Sequence, residues 1–237
     1  MKTPPKSATE CYLSGRRDPT SSFGYGLFRR TTMLLDSLDA HAFTPARTKL
    51  DVIDFGCADG TMLEAMAAHM PERFGSGLGL DVFRSGVPGE NAALGIRYQA
   101  IDLLKQFPFP VADASRDVAI ASAFLKHHPQ PAQFLAEVAR ILRPGGIVQL
   151  LDPRPFVVQI GQRLGRFNPD YNPSLWGRAT IERLLRAQPR ERGLRLGAYR
   201  RYWVAPNYGL YQMGLERVLP APLKHALSLH QCLVLVK

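Results

Sequence analysis

Cysteine is scarce and scattered in this chain. Its 237 residues hold three, Cys11, Cys57 and Cys232, too far apart to pair as metal-ligand motifs. Neither a zinc module nor a disulfide framework organises such a sequence, and an odd, unclustered set fits reduced thiols in the cytosol. Long apolar runs are missing too; none approaches the roughly 18 residues that span a bilayer. Residues 1–22 are polar, carry Pro4, Pro5, Gly15 and Pro19, and lack the apolar stretch of a secretory signal. A cytoplasmic protein without a transmembrane segment is therefore expected. Internal repeats and low-complexity segments are absent as well.

Acidic residues run short in one region only. Residues 1–152 contain 16 Lys and Arg against 16 Asp and Glu, whereas residues 153–237 contain 14 basic against 4 acidic side chains. The whole surplus of ten positive charges thus falls in the C-terminal third. Such a surface attracts phosphate, anionic lipid or nucleic acid, or it is a solvated arginine-rich face.

What is present is an alternation of short apolar strands with helices. Leu50–Phe55, Ser76–Asp81, Ile96–Ile101, Asp117–Ser122 and Ile147–Leu151 read as strands. Thr61–Met70 and Pro131–Leu142 read as helices, the latter with proline at its start and Pro144-Gly145-Gly146 past its end. Phe23–Leu38 has apolar residues at helical spacing. This rhythm predicts an α/β fold with a doubly wound, parallel sheet and helices on both faces. Beyond Asp152, four prolines between Pro153 and Trp176 predict an irregular connection or lid with one short helix at Val157–Leu164. Helices at Ala179–Ala187 and Tyr208–Leu219 follow, with strands at Leu194–Val204 and Gln231–Val236. At 237 residues one domain has a sizeable core and a second would be cramped.

In an open parallel sheet, ligands bind at the carboxyl ends of the strands. The first strand delivers Asp54-Phe55-Gly56-Cys57-Ala58-Asp59-Gly60. Gly56 and Gly60 permit a sharp turn and close approach of a ligand. The dinucleotide fingerprint G-x-G-x-x-G needs glycine at positions 58 and 61, where the chain has Ala58 and Thr61. Asp54 and Asp59 would also oppose a pyrophosphate, while they suit a ligand bearing an ammonium or sulfonium.

These residues resemble motif I of the class I S-adenosylmethionine-dependent methyltransferases, Asp/Glu-x-Gly-x-Gly-x-Gly, with Ala58 in place of the middle glycine. The resemblance continues through residues 50–152. It implies that Asp81, with Val82 after it, meets the cofactor ribose, and that Asp102 and Leu103 meet the adenine. It also implies that the backbone at Ser122 passes near the cofactor, and that a Rossmann-like, mostly parallel seven-stranded sheet has its last strand antiparallel. Cys232–Lys237 matches more loosely. Within the family the chain looks closest to the small-molecule (type 11) branch that includes quinone methyltransferases. The resemblance divides a single domain into an N-terminal helical lid (1–45), a cofactor half (46–152) and a basic substrate side (153–237).

His127 and His128 follow the fourth strand, where a base could assist an oxygen or carbon acceptor; the alternative is that they cap the next element or line the pocket. No metal ligand set is expected. The sequence lacks the Asn/Asp-Pro-Pro-aromatic motif of base amino-methylating enzymes after that strand, having Ser122-Ala-Phe-Leu125. A small or lipid-like acceptor, anionic or resting at a membrane surface, is the first expectation for the partner. RNA comes second, with Arg178–Arg201 pairing phosphate and Tyr199, Tyr202 and Trp203 stacking on bases; that segment reads first as a surface helix and edge strand whose arginines lie over apolar packing. A non-catalytic cofactor binder is the third. The oligomeric state has no signature in the sequence.

Overall fold

The computed structural model describes residues 29–36, 38, 48–82, 92–165, 177–187, 193–202, 218–220, 222–223, 228 and 230–237. Seven strands form one sheet: β1 (Leu50–Phe55), β2 (Phe74–Asp81), β3 (Ile96–Ala100), β4 (Arg116–Ser122), β5 (Leu142–Pro153), β6 (Arg195–Tyr202) and β7 (His230–Val236). Their order is β3-β2-β1-β4-β5-β7-β6. Strands β1 to β5 pair in parallel, and β7 runs antiparallel to both β5 and β6. The expected mixed sheet is therefore the observed one. Strand order reverses between β1 and β4, which puts the binding crevice of a doubly wound sheet over their carboxyl ends.

Residues of the central strands alternate between two cores, because successive side chains of a strand point to opposite faces. Ile53, Phe55, Ala119, Ala121, Val148, Leu150, Leu233 and Leu235 face one core with Phe134, Leu135, Val138 and Ile141 of helix α2 (Pro131–Ile141). Val52, Val118, Ile120, Ile147, Leu151, Cys232 and Val234 face the other with Met62, Leu63 and Met66 of α1 (Thr61–His69). Helical residues 29–36 belong to this second core through buried Met33 and Leu34. Gln149 of β5 donates to the Leu34 carbonyl, and Tyr202 Oη lies 3.3 Å from the Met33 carbonyl and 3.1 Å from Asp36. The described part of the expected lid is thus a helix docked on the sheet. Residues 1–28 lie outside the described residues, as do residues 208–217 of the helix expected at Tyr208–Leu219.

Two elements beyond β5 match their sequence pattern closely: α3 (Pro155–Arg163) and α4 (Arg178–Arg186). β5 is longer than Ile147–Leu151. Its first residue, Leu142, pairs with Arg116, and the register then jumps so that Ile147 pairs with Val118. The expected Pro-Gly-Gly turn is an excursion inside the strand. Its backbone is not idle, since Gly145 N–H donates to the Lys237 carbonyl and Lys237 N–H to the Gly146 carbonyl.

Ion pairs brace the sheet away from the crevice. At the amino ends of β1 and β4, Arg143 donates to Asp117 at 2.7 Å and to Asp51 at 2.9 Å. Near the adjoining loop, Arg140 donates to the carbonyls of Phe109 and Val111 and pairs with Glu137, whose carboxylate accepts the Phe109 N–H. That set holds Phe109 against Phe55 and Phe134, and so fixes the chain between β3 and β4.

Candidate functional site

The turn after β1 is drawn over the carboxyl end of β2. Gly56 and Cys57 donate N–H groups to the Leu80 carbonyl at 2.8 and 3.2 Å, and Gly60 N–H returns to the Cys57 carbonyl at 2.9 Å. Gly56 and Gly60 are left-handed, with φ of 75° and 76°. Ala58 is left-handed as well, at φ 49°. A single alanine tolerates that region at a cost of roughly 1–2 kcal/mol. What holds it there is Asp81, whose Oδ2 accepts the Ala58 N–H at 2.8 Å. The substitution of alanine for the middle glycine therefore preserves the turn.

Glycine is required at this turn by its neighbours. A Cβ on Gly56 would lie 2.8 Å from Cδ2 of Phe124, and one on Gly60 would run into the Tyr98 hydroxyl. Tyr98 also fills the space over Gly79, where a Cβ would meet its ring at 2.6 Å and Cys57 Sγ at 2.7 Å. Asp54, Gly79 and Tyr98 are register partners across β1, β2 and β3, so the three share one row beneath the turn.

Three acids converge here. Asp54, Asp59 and Asp81 are all buried, the first two to 2% exposure. Asp59 Oδ1 also accepts the Thr61 N–H at the start of α1, at 3.3 Å. Their field is visible in neighbouring groups. Burial pushes the Cys57 thiol far above its ordinary range, and Asp54, Asp81 and Asp59 push it further the same way. The Tyr98 phenol is raised first by burial and then by Glu64, Cys57, Asp54 and Asp59. Close by, the hydroxyls of Thr61, Tyr98 and Ser122 are buried and make no hydrogen bond within the protein. Buried donors of that kind are met by a ligand or ordered water. A cradle with two glycines, concentrated negative charge and unsatisfied hydroxyls fits S-adenosylmethionine, which brings a sulfonium, an ammonium and ribose hydroxyls.

The remaining expected contacts lie along the same edge. Ile101 N–H donates to the Asp81 carbonyl, so the chain leaving β3 stays beside the end of β2. Asp102 Oδ1 accepts the Leu104 N–H at 3.1 Å and its Oδ2 lies 3.3 Å from Lys105. Asp102 therefore shapes its own turn, and Leu103 is buried beside it. Val82, at the end of β2, is 57% exposed. Ser122 closes β4, followed by Ala123 in another left-handed conformation, at φ 55°. Strained residues of this kind cluster at functional sites.

The two histidines part company. His128 is buried, its Nδ1 accepts the Gln130 N–H, and its Nε2 is 3.1 Å from the Leu103 carbonyl. Nδ1 is thus the unprotonated nitrogen, and Nε2–H donates to Leu103. With both nitrogens spent on backbone and the ring enclosed by Phe107, Phe124 and Phe134, His128 has no lone pair to offer a substrate. The expectation of a base at His128 is corrected on that ground. Its geometry joins the loop after β4 to the loop after β3. His127 is exposed in the one-turn helix Leu125–His127.

Residue-type reasoning passed over Tyr98 and Phe124. No sequence signal marks them, because each meets its glycine only across elements distant in the chain. Buried Asp152, in register with Gln231 at the carboxyl end of β5, is a further acid on this edge. The arginine-aromatic segment is a helix followed by an edge strand whose arginines are partly engaged within the fold. Arg178 and Arg201 sit 5.3 and 5.5 Å over the Tyr199 ring, Arg178 pairs with Glu182, and Arg200 pairs with Asp36. Tyr199 and Tyr202 therefore use their rings or hydroxyls inside the fold. Trp203 lies outside the described residues.

Fold and crevice together match the Rossmann-like architecture of the S-adenosylmethionine-dependent methyltransferases. The chain belongs to the family described as "Methyltransferase domain", whose model matches residues 27–196. It is 31% identical over 116 residues to a probable S-adenosylmethionine-dependent methyltransferase of Mycolicibacterium smegmatis, covering 47% of this chain and 41% of that protein. It is 28% identical over 135 residues to a ubiquinone biosynthesis O-methyltransferase of Burkholderia thailandensis, covering 55% of this chain and 54% of the relative. These matches span about half the length, or less, of the relatives. A solved complex of the Haloferax volcanii Trm112 methyltransferase activator with its putative methyltransferase shares the fold, with a TM-score of 0.65 at 17% identity over 98% of this chain and 99% of that one.

Proposed function

We propose that the chain transfers a methyl group from S-adenosylmethionine to an oxygen or carbon of a small or lipid-like metabolite. The observation that carries this reading is the convergence of buried Asp54, Asp59 and Asp81 on a glycine turn at the carboxyl end of β1. Bound there, the cofactor supplies an electrophilic methyl on a positively charged sulfur.

The residues would share the work by position. Gly56, Cys57, Ala58 and Gly60 form the backbone cradle, and Asp54 and Asp59 supply the negative field that favours the cationic end. Asp81, with Val82 after it, serves the ribose while holding Ala58. Asp102 and Leu103 line the far side of the base, and Ser122 closes the floor beside β4. Positioning of donor and acceptor supplies most of the rate in such a transfer. A proton acceptor is useful only for a hydroxyl or acidic carbon, and His127, exposed after β4, is the histidine proposed for that role.

Support for a lipid-like acceptor comes from the relative named as a ubiquinone biosynthesis O-methyltransferase, and from the basic C-terminal third. The test incubates the full chain with labelled S-adenosylmethionine and cell extract, then extracts with organic solvent. Label in the organic phase, insensitive to RNase, is the expected result. Label that RNase releases would replace this reading with RNA methylation. Cofactor binding without transfer to any fraction would leave a non-catalytic binder.

A further inference from the structure

Helix α3, with Leu164 capping its end, departs from the usual amphipathic arrangement. Surface helices turn their charged face outward, but the outward face here carries Phe156, Ile160 and Leu164, at 37%, 50% and 64% exposure. These stand four residues apart, one turn above another. Gln159 and Arg163 are exposed on the same face, while Val158 and Gly161 are buried on the opposite one. Arg154 rests its guanidinium 4.7 Å over the Phe156 ring at the start of the stripe. An apolar row of this kind marks an interaction surface.

We infer that α3 docks on an anionic lipid bilayer. Three part-exposed side chains fall well short of the roughly 800 Å² per partner that a stable protein interface buries. A bilayer needs no complementary partner. It accepts a short apolar stripe into the boundary between headgroups and acyl chains, and flanking cations gain from its negative surface. Exposed Arg163 flanks the stripe, while Arg154 at its start donates to the Ser228 carbonyl and hydroxyl, and both lie within the third of the chain that holds all ten surplus positive charges. Helix α3 follows directly from the carboxyl end of β5. A chain resting on this stripe therefore holds the edge that carries the site close to the membrane, where a lipid-dissolved acceptor is reached without crossing water. That last step rests on the methyl-transfer reading; the docking surface itself does not.

The experiment sediments the full chain with vesicles of phosphatidylcholine alone and with vesicles of equal parts phosphatidylcholine and phosphatidylglycerol. Wild-type protein should pellet with the anionic vesicles, less as salt is raised. The I160Q/L164Q variant should lose about tenfold or more in partitioning, and R163E should lose binding to anionic vesicles while keeping its melting temperature. Equal pelleting of I160Q/L164Q and wild type would overturn the inference. So would binding to a single-stranded RNA probe with no vesicle binding, or a vesicle-free dimer that I160Q/L164Q dissolves. S-adenosylmethionine titrations without vesicles keep the two readings apart. An unchanged Kd in I160Q/L164Q shows an intact site, and a wild-type chain that pellets but binds no cofactor fails the methyl-transfer reading alone.

Discussion

Ala58 donates its backbone N–H to Asp81 Oδ2 at 2.8 Å, tying the turn after β1 to the end of β2. One carboxylate thus holds an alanine in the left-handed region and stands where the ribose is proposed to bind. A hydrogen bond to a charged group is worth more than a neutral one, by about 1 kcal/mol. Asp81→Asn should therefore cost about 1 kcal/mol in stability, read by urea denaturation. It should also weaken S-adenosylmethionine binding about tenfold or more, read by calorimetry. An unchanged Kd would remove Asp81 from the proposed site and leave it a loop anchor.

Gly60 and Tyr98 interlock. Gly60 is left-handed, and any Cβ there meets the Tyr98 hydroxyl. Gly60→Ala should destabilise by about 2–3 kcal/mol, from backbone strain and overpacking together. Because the Tyr98 hydroxyl is buried without a hydrogen bond within the protein, Tyr98→Phe should be neutral or stabilising by about 1 kcal/mol. The double variant should recover part of the Gly60→Ala loss, a coupling that a double-mutant cycle measures directly. Strict additivity would assign the clash to the ring carbons of Tyr98, which also lie against that Cβ, and not to the hydroxyl.

His128 should behave as a clamp. Replacing it with alanine leaves the Gln130 N–H and the Leu103 carbonyl without their partner, a loss of about 1–3 kcal/mol. Turnover per folded molecule should stay within a few-fold if the loop after β3 keeps its place. Its pH dependence has a definite sign. Burial lowers the native imidazole pKa below its ordinary 6.5, and the bond to Leu103 opposes this. The unfolded chain therefore binds the extra proton first as pH falls. His128's contribution is complete above about pH 6.5 and declines as pH drops below it. Thermal melts across that range should show an acid-side loss that is smaller in His128→Asn. An identical slope in the variant would assign the acid sensitivity elsewhere.

Much of the cofactor half is legible before folding is considered. Leu50–Phe55 is buried on both faces of a parallel sheet, so its apolar run and the glycine that stops it locate a strand and its turn unaided. Asp81 and Asp102 follow from their places at strand ends. The β5 boundary is less readable, because Pro144-Gly145-Gly146 has turn composition, yet its backbone groups are paired by Lys237, ninety residues away in sequence. The roles of Tyr98 and His128 were out of reach for a related reason. A tyrosine on β3 becomes a constraint on Gly60 only when strand order sets β3, β2 and β1 side by side. A histidine near the crevice looks like a base until both its nitrogens are traced to backbone partners.

By itself, then, the sequence determined the alternation of strands and helices, the acid-bearing glycine turn, and the concentration of positive charge after Asp152. Each depends on local composition or periodicity, which the chain carries unfolded. Only the tertiary structure decided that Asp81 reaches back to Ala58 and that His128 is spent on Leu103 and Gln130. It also decided that the arginines around Tyr199 are partly used within the fold, and that α3 turns Phe156, Ile160 and Leu164 outward. These are relations between residues distant in the chain or between a helix face and what covers it, and such relations exist only once the sheet has assembled.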